Sequence, residues 1–192
     1  HPGRSGLVLG EGAATLILEE WEHAKARGAN ILAEVVGYGT CSDHTHLVRP
    51  DRDGQIRAMR LALDDAGLSP DDVDYVNAHG TATIEGDAIE VDSLRALFGD
   101  RAAQVPVSAT KSMHGHLMGA AGAIEAVTTV LALADDALPP TAHLDTIDPA
   151  CEGVRHITGG ALRGTDARVA LSNSFAFGGC NAVLAFRKAS PA

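Results

Sequence analysis

Strand-type and helix-type segments alternate along this chain, and that alternation restricts its fold more than any other feature. Short runs of β-type character lie at 14–18, 31–38, 73–78, 105–108, 168–172 and 182–186. Helical patterns fall at 20–27, 55–66, 88–98 and 117–134, between or beside them. Such an order predicts an α/β layered domain with a largely buried sheet. The punctuation agrees. The 55–66 helix carries Ile56, Met59 and Leu63 on one face and stops at Gly67, as a helix ending in a left-handed residue should. Ser69-Pro70-Asp71-Asp72 is a helix start, with a capping serine, proline at the first position and acids in the first turn. It has room for a single turn only, because strand 73–78 follows. Residues 41–53 read as a polar loop. The first half of helix 117–134 carries small residues from Gly119 to Ala123, which suit close packing on another backbone. No repeat or linker divides the 192 residues, so residues 1–192 are expected to form one domain.

The bulk charge excludes several functions. The formal net charge is −10, the opposite of the basic footprint of a nucleic-acid binder. No apolar run approaches the roughly 18 residues of a membrane span, and no basic start with an apolar core marks a signal peptide. Cys41, Cys151 and Cys180 form no CxxC motif, which predicts free thiols in a reducing, cytoplasmic setting. The opening HPGRSG lacks Met and reads as the interior of a longer chain. Gly10 and Gly12 superficially match a dinucleotide fingerprint, but they lead into a strand rather than a helix, so no phosphate cradle is expected.

Three stretches carry chemistry. The first is His79-Gly80-Thr81-Ala82-Thr83, the second Lys111 to His116 (KSMHGH), the third Asn173 to Asn181 (NSFAFGGCN). Each ends a strand or begins a helix with polar residues among glycines, and ligands of open α/β sheets sit at the carboxyl ends of strands. Two imidazoles held in place can share one developing oxyanion, each donor being worth roughly 3–4 kcal/mol. A lone histidine at a strand end is usually a satisfied structural residue, and spacing alone supports only a pocket with two histidines. His114-Gly115-His116 lacks a third metal ligand, so no metal site is expected. Asp87 and Glu90, near a helix start, read as complements to its dipole.

The segments NAHGTATIEGDAIE, SATKSMHGHLMGAAGAIEA and SNSFAFGGCNAVL together resemble the C-terminal half of a β-ketoacyl-acyl-carrier-protein synthase. GLVLGEGAATLILEEWEHAKARGA and ALPPTAHLDTIDPAC resemble the same family, in order, over nearly the whole chain. The resemblance implies a thiolase-like layered fold of which this chain is the C-terminal half only. It implies a decarboxylative Claisen condensation, in fatty acid or polyketide synthesis, between a cysteine-bound acyl chain and a malonyl thioester on acyl carrier protein. His79 and His116 then correspond to the histidine pair at the malonyl thioester. Lys111 corresponds to the motif lysine and Glu125 to its acidic partner. Thr81 and Thr83 correspond to the hydroxyls that hold the phosphopantetheine arm of the carrier, with no directly bound cofactor expected. Phe177 corresponds to a gating phenylalanine whose backbone N–H serves the acyl-cysteine, and Gly178 and Gly179 give that gate room to move.

The family's nucleophilic cysteine belongs to the N-terminal half, and none of the three cysteines here matches its motif. This chain alone is therefore expected to be inactive and to need that half or a partner chain. The complete enzyme is expected to be a dimer. Cys180 stands where relatives more often have Thr and reads as a core or supporting substitution. Ala176 stands where many relatives have Gly, and His114 replaces a common Thr. One alternative is a non-catalytic, chain-length-factor-like partner subunit, which the retained histidines disfavour. Another is a coenzyme A-dependent thiolase-like enzyme, which the two-histidine pattern disfavours. Arg49, Arg52, Arg57 and Arg60 cluster in sequence and are candidates for docking an acidic carrier protein.

Overall fold

The computed structural model describes residues 1–190. A six-stranded sheet is built from β1 (Ala33–Ser42), β2 (Tyr75–Asn77), β3 (Pro106–Ser108), β5 (Arg155–His156), β7 (Val169–Ala176) and β8 (Cys180–Lys188), in the order β1-β8-β7-β2-β3-β5. Strands β2, β3, β5 and β7 run parallel, while β8 pairs antiparallel with both β7 and β1. A separate two-stranded ribbon joins β4 (Ala137–Leu138) to β6 (Leu162–Arg163). The helices are α1 (Trp21–Ala26), α2 (Arg52–Asp65), α3 (Ile84–Phe98), the single turn α4 (Lys111–His114) and α5 (Ala121–Ala134).

The sheet is covered on both faces, and the period-2 alternation of its strands sorts the core into two halves. Val76, Leu171, Val183 and Ala185 join Met59, Leu63, Val91 and Leu94 of α2 and α3. Their strand neighbours Tyr75, Ala170 and Phe186 point the other way, to Ala126 and Leu133 of α5. One close crossing fixes α2 on β1. A Cβ at Gly37 or Gly39 would lie 2.1 Å from the carbonyl oxygens of Ala62 and Ala58 respectively, so glycine is required at both strand positions.

Several sequence expectations are revised. Among the described residues, 14–18 join no sheet, and Ile17 and Leu18 are exposed. Cys41 and Ser42 belong to β1, whose pairing runs on to Ser42 opposite Cys180. The following helix begins at Arg52, where Asp51 accepts from the Gly54 N–H at 2.7 Å. Helix α3 starts at Ile84 rather than 88, capped by Thr83, which accepts from Gly86 at 3.2 Å. The 117–134 helix is divided into a 3₁₀ turn (Met118–Ala120) and α5, and Met118 itself is left-handed at φ 50°. Its two glycines are not forced by contacts among the described residues. A Cβ on Gly119 would meet nothing within 4 Å, and one on Gly122 only Ser174 Oγ at 3.6 Å. Cys180 is exposed at the start of β8 rather than in the core. The single turn at Pro70–Asp72 forms as expected, with Ser69 and Asp72 capping each other.

Candidate active site

Strand β2 delivers His79 two residues past its carboxyl end, and β3 leads through Thr110 into α4, whose first residue is Lys111. The neighbouring parallel strands thus bring the two motifs together at one end of the sheet. The Lys111 ammonium lies 3.2 Å from His79 Nδ1 and forms an ion pair with Glu125 of α5. Lys111 is 7% exposed and Glu125 1%. The His79 and His116 rings meet edge to face, with centroids 5.5 Å apart at 87°. His79, His116, Lys111 and Glu125 therefore form one continuous cluster.

His116 is set by the amino-terminal segment. Its N–H donates to the Val8 carbonyl at 2.7 Å, and Gly10 N–H donates to its own carbonyl at 3.0 Å. The chains cross at paired glycines. A Cβ on Gly10 would sit 2.1 Å from the His114 oxygen, and one on Gly115 would sit 2.9 Å from Gly10 N. Gly10, which resembled part of a dinucleotide motif, is there to let this crossing close.

The hydrogen bonds fix both tautomers. An ammonium has donors and no acceptor, so His79 Nδ1 must accept from Lys111. His116 Nδ1 accepts from the Met118 N–H at 3.1 Å. Each neutral ring then carries its proton on Nε2. Burial pushes the His79 imidazole well below its ordinary value, and the Lys111 charge and His116 act in the same direction. Burial, then Lys111, lowers His116 as well. Both rings are neutral near pH 7, each with one Nε2–H to donate. Burial pushes the Glu125 carboxyl up to about 7, against the opposing pull of Lys111. Its second oxygen has no hydrogen-bond partner among the described residues.

Glu90, read from sequence as a dipole complement, has a different place. It is buried in α3 and accepts from the His79 N–H at 2.8 Å, the Gly80 N–H at 2.9 Å and Asn173 Nδ2 at 3.2 Å. Burial raises its pKa, against those three donors. Asp87 accepts from Ala82 N–H at 3.0 Å and lies 3.6 Å from Arg4. Phe175 lays its ring against His79, centroids 6.1 Å apart. Asn77 ties β2 to α5 through the Glu125 carbonyl and the Thr129 hydroxyl. Asn77 was missed from sequence, Asn173 and Phe175 lay in the third chemical stretch without an assigned role, and Glu90 was given a different one. The signal for Glu90 was present: with Leu94 and Leu97 it occupies the i, i+4, i+7 stripe that α3 buries.

Thr81 and Thr83 face each other, hydroxyls 3.2 Å apart. Phe177, Gly178 and Gly179 form the β7–β8 turn. Phe177 is 62% exposed, and the ring in contact with His79 belongs to Phe175. The turn is bound to the loop after β1: Gly178 N–H donates to Leu47, Asp43 N–H to Gly179, and Asn181 Nδ2 to Asp43 at 3.2 Å. Gly179 has φ 75°, and a Cβ there would lie 2.5 Å from the Asp43 oxygen. His114 is satisfied locally, Nδ1 donating to its neighbour's carbonyl at 2.8 Å and Nε2 lying 3.2 Å from Thr110 Oγ1. Cys41 Sγ lies 3.1 Å from the Gly54 carbonyl, and burial pushes the Cys151 thiol up. No cysteine is among the hydrogen-bonding partners of His79, Lys111 or His116 in the described residues.

The chain is 50% identical over 188 residues to 3-oxoacyl-acyl-carrier-protein synthase 2 of Staphylococcus aureus (strain COL), covering 97% of this chain and 45% of that protein. It is 49% identical over 185 residues to Nodulation protein E of Rhizobium sp. (strain N33), covering 96% and 46%. The solved ishigamide ketosynthase/chain length factor superposes with a TM-score of 0.94 at 42% identity, covering 98% of this chain and 46% of that one. The chain thus spans about half the length of the curated relatives it matches. The described fold is that of the C-terminal half of a thiolase-like ketosynthase. With residues 32–145 matching the β-ketoacyl synthase C-terminal domain, the chain belongs to the β-ketoacyl synthase family.

Proposed function

We propose that residues 1–192 are the C-terminal domain of a β-ketoacyl synthase that joins an acyl thioester to malonyl-acyl carrier protein by decarboxylative Claisen condensation. The observation that carries this reading is the pair of neutral imidazoles, His79 and His116, each left with one Nε2–H to donate. When the malonyl carboxylate leaves as carbon dioxide, its electron pair moves into the thioester and places negative charge on the carbonyl oxygen. Two fixed N–H donors stabilise that enolate oxygen without reorganising. The enolate carbon then attacks the acyl-cysteine carbonyl, and the cysteine thiolate leaves.

Lys111 holds His79 in the donating tautomer and sets the local field, and Glu125 pairs with the lysine so that it is not buried alone. Thr81 and Thr83 hold the phosphopantetheine arm. Two hydroxyls that share one hydrogen bond keep one O–H to donate, so capping α3 does not exhaust them. The Phe177 backbone N–H serves the acyl-cysteine carbonyl, its exposed ring guards the acyl entrance, and Gly178 and Gly179 shape the turn that carries it.

The nucleophilic cysteine belongs to an N-terminal half, and this chain alone does not condense. Exposed Val8, Leu9, Ile17 and Leu18, with the small-residue start of α5, suit burial against that half. The complete enzyme is a dimer and works in the cytoplasm. Among the described residues no helix is long and apolar enough to cross a membrane. Of the four arginines near α2, Arg49 pairs with Glu85 and Arg52 with Asp53 and Asp92. Arg57 and Arg60 are exposed and without a carboxylate partner among the described residues, and these two dock the acidic carrier.

The test is decarboxylation of malonyl-acyl carrier protein by the complete protein. His79→Ala and His116→Ala should each lower the rate roughly 10²–10³-fold, the usual effect of removing one oxyanion donor. Wild-type rates in both would overturn the reading. A residue other than cysteine at the nucleophile position of the N-terminal half would favour the chain-length-factor-like partner instead.

A further inference from the structure

The parallel strands give the sheet two ends, and His79 and Lys111 occupy only the carboxyl end. At the amino ends of β2, β3, β5 and β7 lies a separate cleft of about 340 Å³, lined by Asp74, Arg101, Gln104, Arg155, Arg163 and Thr165 among others. Its size is within the roughly 300–1,000 Å³ of small-molecule sites. Its charge runs against the rest of the molecule. Three guanidiniums and one carboxylate line it, in a chain whose formal net charge is −10.

The three arginines come from different elements. Arg155 opens β5, Arg163 closes β6, and Arg101 ends the 3₁₀ turn after α3. Arg101 forms a fixed wall, donating to the Pro70 carbonyl at 2.7 Å and the Val73 carbonyl at 3.3 Å, and lying 3.7 Å from the Asp71 carboxylate. The Asp74 carboxylate is engaged by backbone, accepting from Arg168 and Val169 N–H at 2.8 and 3.0 Å. Among the described residues, Arg155 and Arg163 make no side-chain hydrogen bond and have no ion-pair partner, although carboxylates outnumber basic groups in the chain. Elsewhere Arg4, Arg27, Arg49, Arg52 and Arg95 each find a carboxylate, while among the described residues Arg57, Arg60, Arg168 and Arg187 do not, but none of these four lines the cleft. Free guanidiniums beside an anchored one, around a cleft of ligand size, match a multiply charged oxyanion, because the planar fork of arginine bonds phosphate oxygens in pairs.

We propose that this cleft binds a small phosphate-bearing anion, through Arg155 and Arg163 against the wall made by Arg101. The site goes beyond the condensing reaction and does not depend on it. The test is calorimetric titration of the complete protein with sodium pyrophosphate and, separately, with ribose 5-phosphate, at an ionic strength held constant with sodium chloride. One saturable site is expected for at least one of the two. Binding of pyrophosphate alone would identify a free phosphate ligand, and binding of both would identify a phosphoryl group carried on an ester. Arg155→Gln/Arg163→Gln should weaken binding at least about tenfold, equivalent to about 1.4 kcal/mol, and should leave the ligand-free melting temperature and condensing activity unchanged, since neither side chain has a partner among the described residues. Absence of binding by both anions, or wild-type affinity in the double variant, would overturn the proposal.

Discussion

Removing the carboxylate of Glu125 should cost this protein a large part of its stability, and replacing both members of the Lys111–Glu125 pair should restore most of it. Lys111 is 7% exposed and Glu125 1%. Glu125→Ala leaves the ammonium buried with only His79 Nδ1 and no counter-charge. Breaking such a pair from one side typically costs about 3–5 kcal/mol, against a total of about 5–15 kcal/mol for a domain. Lys111→Met/Glu125→Leu removes both desolvated charges and also the unpartnered second oxygen of Glu125. Apolar replacement of this kind is neutral or stabilising by about 1–4 kcal/mol. The assay is urea unfolding of the complete protein, comparing midpoints at unchanged m-value. The activity should behave in the opposite way. Without Lys111 nothing holds His79 Nδ1 as an acceptor, so the double variant should fold well and decarboxylate poorly. A Glu125→Ala protein within about 1 kcal/mol of wild type, the value of an exposed pair, would refute the reasoning. So would a double variant as unstable as the single one.

Three other predictions follow from the same geometry. His79 and His116 have pKa values lowered on folding, so below about 6.5 the unfolded chain binds protons that the folded chain does not. Their contribution to stability is lost as pH falls. Glu125, pushed up to about 7, acts with the opposite sign and loses stability as pH rises through that range. Unfolding of His79→Asn/His116→Asn should therefore become less favoured by acid than that of wild type between pH 7 and 5.5, and an unchanged slope would count against it. Gly179→Ala forces a Cβ to 2.5 Å from the Asp43 oxygen at φ 75°, whereas Gly178→Ala meets φ 80° but no atom within 4 Å. The second should cost roughly 1–2 kcal/mol and the first clearly more, a ranking that thermal melting reads directly. Arg57→Glu/Arg60→Glu should slow association with acyl carrier protein at low salt and have little effect at high salt; equal association rates at low salt would remove that docking surface.

Much of the fold was legible because local rules govern it. The cap at Ser69, the stop at Gly67 and the apolar face of α2 are decided within one or two turns of chain. The strand at 73–78 was likewise marked by its own apolar run, while the structure puts Tyr75 and Val76 on opposite faces of the sheet. The 14–18 segment failed as a strand because a β run needs a neighbour to bond to, and sequence pattern does not supply one. The start of α3 was misplaced because Thr83 was read for its hydroxyl chemistry, while the same oxygen also caps the helix.

The candidate site divides in the same way. The sequence by itself determined which groups are available: two histidines, a lysine, a glutamate and two threonines, in motifs whose family resemblance assigned them roles. Only the tertiary structure decided what those groups are. Lys111 and Met118 N–H, brought to the two Nδ1 atoms, make both rings Nε2–H donors, and burial keeps them neutral. Glu90 became a support for the His79 backbone because α3 turns its 90–94–97 stripe inward. Protonation, tautomer and hydrogen-bond satisfaction depend on distances of a few ångströms between residues remote in sequence, and those distances exist only once the layers have packed.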